Sequence, residues 1–251
     1  MTELPRHRTF RRCLRAIPAA AVALLASGCT GPRSMLDPAG PSAHAIADIW
    51  WAMFGGAVVV WLLVVAFLLV ALFRGRNTRA LARPQRLIVG GGLVLPTVLL
   101  GALLVWGTLD SARLTGIGQA PEAVIEVIGR QWSWEFRYLD DDGQVVAMSR
   151  EELAMPLGRM VEFRITSEDV IHSFWIPRLG GKMDAVPGRV NRLRLRADHE
   201  GAGTPIRGQC AEFCGLSHAH MHFGVQVLDD AGWDDWLHQH AAEAAPAGIR
   251  P

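Results

Sequence analysis

The sequence predicts a hairpin of two transmembrane helices followed by an all-β sandwich domain. Two runs without a charged residue, Ile49 to Phe73 (25 residues) and Leu87 to Leu109 (23 residues), support the hairpin, because about 20 apolar residues span a bilayer. From Ala123 onward, short runs rich in β-branched and aromatic residues are separated by Gly, Pro and Asp. Such spacing is typical of strands joined by turns.

The N-terminus has the features of an export signal. Residues 1–28 combine five arginines with a short apolar run, and we expect them to be a secretory signal peptide. The end of this segment, Leu25-Ala26-Ser27-Gly28-Cys29, resembles a bacterial lipobox, which predicts cleavage before Cys29 and a lipid on its thiol. Ala26 stands where leucine is usual, so the alternatives are ordinary cleavage nearby or an uncleaved anchor. Residues 29–47, rich in Pro and Gly and without a period, are expected to be a periplasmic tether.

The hairpin itself is assigned to residues 48–110. Residues 74–86, which join its two helices, hold five arginines and no acidic residue, so the positive-inside rule makes this link cytoplasmic. Both outer ends of the hairpin and the C-terminal domain then face the periplasm of a bacterial inner membrane. Pro96 removes one backbone donor from the second helix and is expected to kink it.

Charge divides the chain at the same point as hydropathy. The net charge is +1, but residues 1–119 carry 12 Lys/Arg and 4 Asp/Glu, a net +8, whereas the remainder carries 13 and 20, a net −7. An acidic domain attracts basic partners at long range. We therefore expect membrane and protein partners and no nucleic acid.

The β-domain is assigned to residues 120–245. Met160 to Thr166 and Arg192 to Arg196 alternate apolar and polar residues with a period of two, as half-buried strands do. Asp140-Asp141-Asp142-Gly143 predicts a turn, and Gly232 to Ala245 predicts a terminal helix. Further strands are predicted at Val124–Ile128, Gln131–Leu139, Val170–Ile176 and Phe223–Leu228.

The stretch from Gln209 to Met221 carries a pattern of metal ligands. Cys210 and Cys214 are four residues apart, His218 follows four residues later, and Met221 three residues after that. Thiolate, imidazole and thioether together suit copper, because soft sulfur ligands favour Cu(I) and imidazole accepts either oxidation state. A mononuclear blue-copper site needs one Cys, so the second thiol favours two metals.

This pattern resembles the CuA centre in subunit II of haem-copper cytochrome c oxidase. The similarity includes an earlier Asp-x-x-His-Ser, formed by Asp169, His172 and Ser173, and extends from about Ala47 to His240. It implies a cupredoxin-like Greek-key sandwich and a binuclear copper cluster bridged by two thiolates. The resemblance assigns the bridging thiolates to Cys210 and Cys214, the other ligands of one copper to His172 and the backbone carbonyl of Glu212, and those of the second to His218 and Met221.

The resemblance also implies a function for the whole complex. In this family Trp132, in Gln131-Trp132-Ser133-Trp134, matches the residue at which electrons arrive from cytochrome c. Electrons then pass from CuA to haem in subunit I, where O2 is reduced to water with proton translocation. Subunits I and III are the implied partners, and the side chain of Glu212 helps to hold a Mg or Mn ion shared with subunit I. The Lys182 to Arg189 segment matches the loop that lies against subunit I in this family.

Simpler interpretations of the same residues are kept open. A disulfide between Cys210 and Cys214 is one alternative, because such bridges are common outside the cytoplasm, but it would not explain the following His and Met. Zinc would accept two Cys and two His but has little use for a thioether. His220 and His222 are rival imidazoles by composition. Similarly, alternating Trp132 and Trp134 would suit the buried face of a strand.

Two other functions compete with the oxidase. A copper-storage or copper-delivery lipoprotein would need the ligands but no haem partner. A quinol-oxidase subunit II would have the hairpin and sandwich without copper, which the full ligand set argues against. Many oxidases of this type carry a glutamate near the cytoplasmic start of the second helix. Here Leu87 to Gly92 contains no acidic residue, so whatever feeds the proton path must differ or come from another subunit.

Overall fold

Two apolar helices and a β-sandwich make up the computed structural model, which describes residues 27–74, 84–115, 118, 120–199 and 204–241. Helix α1 spans Pro41–Arg74, α2 spans Pro84–Val89, and α3 spans Leu95–Thr115. α1, and α2 and α3 taken together, are long and apolar enough to cross a membrane. Their large apolar side chains are mostly exposed, as a lipid or subunit environment requires. Most of the predicted signal, residues 1–26, and most of the arginine-rich link lie outside the described residues.

A π-helical turn, Gly90–Val94, joins α2 to α3 and ends two residues before Pro96. Within it the Leu95 amide donates to the Gly90 carbonyl, five residues back, and the Thr97 hydroxyl donates to the Leu93 carbonyl at 2.7 Å. Because proline has no amide hydrogen, the normal hydrogen-bond ladder cannot continue through it. The π turn therefore lies where Pro96 interrupts the regular hydrogen-bond pattern of the helix.

The described residues contain ten strands in two five-stranded sheets, in the order β3-β2-β1-β5-β8 and β4-β10-β9-β6-β7. Their bounds are β1 Ala123–Arg130, β2 Ser133–Leu139, β3 Val145–Arg150, β4 Glu152–Pro156, β5 Met160–Ser167, β6 His172–Trp175, β7 Met183–Ala185, β8 Asn191–Arg196, β9 Ile206–Cys210 and β10 His222–Leu228. Parallel pairs β1–β5 and β4–β10 stand beside antiparallel ones, so each sheet is mixed. The predicted hairpin and β-sandwich are thereby confirmed.

The two sheets enclose an aromatic core. Phe174 of β6 stacks on Phe223 of β10 with ring centroids 5.2 Å apart, and Trp134 and Phe136 of β2 meet both rings edge-on. All four side chains are buried. A short helix α4, Asp230–Gln239, closes one end of the sandwich with two further tryptophans, and the Asp229 carboxylate caps its N-terminus. The helix was predicted to run from Gly232 to Ala245, but it starts two residues earlier and ends at Gln239, because His240 caps it and Ala241 bridges to Ala147 of β3.

The segment before α1 is docked on the β-domain, and α1 starts seven residues before the predicted hairpin at residue 48. Arg178, completely buried, donates to the backbone carbonyls of Asp37 and Thr204, both at 2.7 Å, and pairs with the Asp37 carboxylate at 3.0 Å. The Ala39 amide donates to the Arg178 carbonyl, and the Ala39 side chain joins the core. Residues expected to form a tether are therefore anchored by a buried cation and backbone hydrogen bonds.

Candidate metal centre

The predicted ligands come from two neighbouring strands and the loop that follows one of them. Cys210 is the last residue of β9, and His172 is the first residue of β6, which pairs with β9 through Phe174 and Cys210. The ligand loop, residues 210–221, closes on itself because the Cys210 amide donates to the Met221 carbonyl at 2.8 Å. A 3₁₀ turn at His218–His220 points the chain back toward β10.

Cys210 forms the centre of one half of the site. Its Sγ lies 3.9 Å from the Nδ1 of His172 and 3.2 Å from the backbone carbonyl of Glu212. Cys210 and His172 are both buried, whereas the Glu212 side chain is exposed. This half-site therefore offers a sulfur, a nitrogen and an oxygen atom to one ion.

Cys214 forms the centre of the other half. Its Sγ lies 3.6 Å from the Nδ1 of His218 and 3.7 Å from the Sδ of Met221. The two cysteine sulfurs are 3.8 Å apart, and both thiols are free. Ligand atoms of His172, Cys210 and Cys214 all lie within 4.8 Å of one another. Each sulfur therefore has its own set of neighbouring ligand atoms, and this arrangement fits a pair of ions that share both thiolates.

The two thiols differ in acidity. Burial raises the pKa of both. At Cys210, hydrogen bonding to His172 and to the backbone of Glu212 and Ser173 outweighs burial and lowers the pKa below its usual value. At Cys214, the neighbouring Cys210 charge adds to burial and raises the pKa. A bound cation would compensate the second negative charge, so metal uptake must release protons.

Asp169 holds the imidazole of His172 in place. Its Oδ1 lies 2.8 Å from the His172 Nε2 and accepts a hydrogen bond from the Val170 amide at 2.6 Å. Its Oδ2 accepts from the Gln131 amide at 2.6 Å. Burial raises the pKa of Asp169, but these hydrogen bonds lower it overall, so the carboxylate is ionised. Donation from Nε2 to the carboxylate leaves Nδ1 free to face the sulfur.

Ser173, the other predicted supporting residue, contacts a different group. It is completely buried, and its hydroxyl donates to the Asp184 carboxylate at 2.8 Å. Its carbonyl accepts from the Ala211 amide at 2.9 Å, directly after Cys210. Ser173 thus fixes the start of the ligand loop through its backbone, while its side chain secures β7.

The turn between β1 and β2 covers the ligand loop from outside. Both the indole of Trp132 and the side-chain amide of Gln131 donate to the Cys214 carbonyl, at 3.2 Å and 2.8 Å. Gly215 adopts a left-handed φ of 119°, and a Cβ there would lie 3.1 Å from the Gln131 amide nitrogen. Glycine is therefore favoured both by the backbone conformation and by the close approach.

Five exposed apolar side chains lie in or next to the segments that form this site, and we call them the apolar rim: Trp132, Val170, Ile171, Phe213 and Leu216. Trp132 is 36% exposed, Phe213 77% and Leu216 96%. Large apolar side chains exposed together mark interaction surfaces more often than isolated ones do. Sequence analysis did not predict that these residues are exposed near one another, because the pattern of strands does not show which loops meet.

The predicted ligand residues lie together in the structure. All six assigned residues, including the Glu212 carbonyl, converge on the two sulfurs. Neither His220 nor His222 is among the described contacts of either sulfur. Sequence reasoning missed the link from Gln131 to Cys214, because 83 residues separate them and no motif connects them.

The chain also matches known proteins. Residues 143–228 match the family model described as cytochrome C oxidase subunit II, periplasmic domain. The chain is 31% identical over 250 residues to cytochrome c oxidase subunit 2 of Alkalihalophilus pseudofirmus, covering 94% of this chain and 71% of that protein. This chain belongs to the cytochrome c oxidase subunit 2 family. Subunit 2 of Cereibacter sphaeroides is 30% identical over 201 residues, covering 62% of this chain and 64% of that protein.

A solved structure is also similar to this chain. The periplasmic domain of subunit II of cytochrome oxidase from Bradyrhizobium japonicum aligns with a TM-score of 0.44 and 28% identity. The alignment covers 49% of this chain and 95% of that domain.

Proposed function

We propose that this chain is the electron-accepting subunit of a cytochrome c oxidase and that its six converging residues hold a binuclear copper centre, CuA. The observation that carries the proposal is the division of the ligands into two sets, one on each of two sulfurs 3.8 Å apart. A structural disulfide would not need an imidazole at each sulfur or a thioether. Family membership supports the same conclusion independently.

The donor atoms fit copper better than its competitors. Cys210 and Cys214 would bridge two ions, with His172 and the Glu212 carbonyl on one side and His218 and Met221 on the other. Zinc in a structural site takes four Cys or His ligands in one tetrahedron and does not select Met. The copper pair would supply one-electron chemistry, taking an electron from reduced cytochrome c for delivery to haem in subunit I.

The protein's own contribution is a dry and rigid surround. His172 is completely buried, and the Trp134 ring lies edge-on to it with centroids 5.9 Å apart. Asp169 fixes the ring orientation, and the Ser173 carbonyl fixes the start of the ligand loop. Ligands held in place in this way would change little in geometry between oxidation states, which would lower the barrier to electron transfer.

We assign electron arrival to Trp132 within the apolar rim. Its indole donates to the Cys214 carbonyl, so a ring that is 36% exposed connects to the ligand loop by one hydrogen bond. The acidic balance of residues 120–251 would attract a basic cytochrome c, and the rim would then exclude water at close approach. The exposed Glu212 side chain is free to hold the Mg or Mn ion at the boundary with subunit I.

The helical hairpin would place this chain in the bacterial inner membrane, spanning it twice beside subunits I and III, with the copper domain in the periplasm. The described part of the chain contains two helices that meet the length and composition requirements. Proton translocation belongs to the assembled complex. Cys29, which is described and free, would carry the lipid if residues 1–28 are removed.

The experiment compares Trp132→Phe with Trp175→Phe in the purified oxidase. Both indoles donate to a backbone carbonyl, Trp132 to Cys214 and Trp175 to Gly180 at 3.0 Å, so the control removes the same kind of bond. We expect only Trp132→Phe to slow copper reduction by cytochrome c, by at least about tenfold, with copper content unchanged. Equal rates in both variants would refute the assignment of Trp132.

The same purification tests the wider proposal. A tag on this chain should recover haem-containing subunit I with copper. Copper-loaded protein that never recovers a haem subunit, under conditions where oxidase is assembled, would instead identify a copper-storage or copper-delivery protein.

A further inference from the structure

The turn that joins β1 to β2 contacts both halves of the candidate site. Gly129, near the end of β1, lies directly beneath the imidazole of His172. A Cβ at Gly129 would lie 2.9 Å from the His172 Cδ2, 3.2 Å from its Cγ and 3.3 Å from the Trp134 ring. Because the His172 ring is completely buried between Asp169 and Cys210, it has little space in which to move away.

Gln131, two residues later, joins the two ligand sets. Its backbone amide donates to the Oδ2 of Asp169, the carboxylate whose other oxygen holds His172. Its side-chain amide donates to the carbonyl of Cys214, the sulfur ligand of the opposite half-site. One residue thus connects the support of His172 to the backbone of Cys214 through two hydrogen bonds of 2.6 Å and 2.8 Å.

We propose that residues 129–131 act as a clamp that sets the position of the His172 half-site relative to the Cys214 half-site, with Gly129 and Gln131 as positioning residues. The inference rests on the proposed copper function and adds a role for residues that are not ligands. Outer partners of metal ligands orient them and tune the metal. Here a single turn does this for both halves, so a change in it must alter how the two ions share an electron.

The simpler interpretation is an ordinary turn that only stabilises the domain. Exposure separates the two interpretations, because Gln131 is exposed and its substitution leaves the packing of the domain core intact. A stabilising turn predicts no spectroscopic effect from Gln131. A clamp predicts a changed cluster in a protein of normal stability.

The test uses the purified full chain loaded with copper. Gln131→Met keeps the length of the side chain without the donor, and Gln131→Glu places an acceptor against the Cys214 carbonyl. The matched control is Gln226→Met, at an exposed position on β10. Copper content, electron paramagnetic resonance spectra and reduction potential are measured for each protein.

We expect both Gln131 variants to retain wild-type copper content but to shift the equilibrium with a one-electron donor by about tenfold, equal to about 59 mV. Their copper hyperfine pattern should become less symmetric between the two ions. Potentials and spectra that coincide with those of Gln226→Met would overturn the clamp. If the wild-type chain itself shows no shared-electron signal, the proposed copper function fails instead.

Gly129→Ala gives a second measurement of the same clamp. Its control is Gly181→Ala, because a Cβ at Gly181 meets no atom within 4 Å. We expect Gly129→Ala to alter the spectrum through displacement of His172, while Gly181→Ala leaves it unchanged. A folded Gly129→Ala variant with the wild-type spectrum and potential would contradict the role of Gly129. Should it fail to fold, the Gln131 variants still decide the proposal.

Discussion

Replacement of Asp169 by Asn tests how the site holds its first imidazole. The carboxylate accepts three short hydrogen bonds on its two oxygens, from the amides of Gln131 and Val170, each at 2.6 Å, and from the His172 Nε2 at 2.8 Å, besides a longer one from the Ser167 hydroxyl at 3.3 Å. An amide side chain has one acceptor oxygen, so its NH2 group must face at least one of these donors. Hydrogen bonds to a charged group contribute roughly 1.5–3 kcal/mol.

The expected loss in copper affinity follows from this value. Each tenfold change in a binding constant corresponds to about 1.4 kcal/mol, so the substitution should weaken copper binding by roughly 10- to 100-fold. Copper affinity would be measured on the full chain in detergent by competition with a chelator of known affinity. The control is Asp140→Asn, whose carboxylate accepts from the Gln144 amide in the β2–β3 turn. An affinity within about threefold of wild type would refute the reasoning that Asp169 orients the ligand.

Three further perturbations test the domain that carries the site. Burial raises the pKa of Glu162, but hydrogen bonds from Arg194 and neighbouring arginines lower it overall. Its stabilising contribution is therefore present above the unfolded pKa of about 4.3 and lost as the pH falls through the folded pKa. In Glu162→Gln, the free energy of unfolding measured in urea should therefore fall less steeply with decreasing pH than in the wild type. The same pH dependence in both proteins would contradict this. Phe174→Ala should lower the free energy of unfolding by about 3–5 kcal/mol, because it removes a buried ring. Phe213→Ala truncates an exposed ring and should lower it by about 0.5 kcal/mol or less. Equal decreases in the two variants would show that the core is wrongly identified. Arg178→Met should release the docked segment before α1, seen as faster proteolysis there, and unaltered cleavage would mean that Arg178 is not what anchors it.

The local parts of the fold follow from sequence patterns. Lack of charge predicted both apolar helices, and alternation predicted the strands at 160–166 and 192–196 almost to their ends. Strands β3, β4, β7 and β9 were missed, because each has at most six residues and none shows a clear alternation of apolar and polar residues. The parallel pairs β1–β5 and β4–β10 join residues distant in the chain, and no local pattern encodes such pairing.

The candidate site was predictable where spacing carries chemistry. Sulfur and imidazole ligands four residues apart in one loop indicated a metal, and the Asp-x-x-His pair indicated the contribution of a second loop. By contrast, the contacts of Arg178 with Asp37 and of Gln131 with Cys214 depend on tertiary packing over more than 80 residues. Exposed leucine and phenylalanine in the ligand loop also gave no signal, because an apolar residue in a loop is ordinary until its neighbours are known.

The most direct test of the central claim is a copper assay and an electron paramagnetic resonance spectrum of the copper-loaded full chain. We predict two coppers per chain with one unpaired electron shared over both, and loss of that signal in Cys210→Ser and in Cys214→Ser. A single localised Cu(II), or no copper retained after dialysis, would contradict the binuclear centre and with it the proposed role in electron transfer.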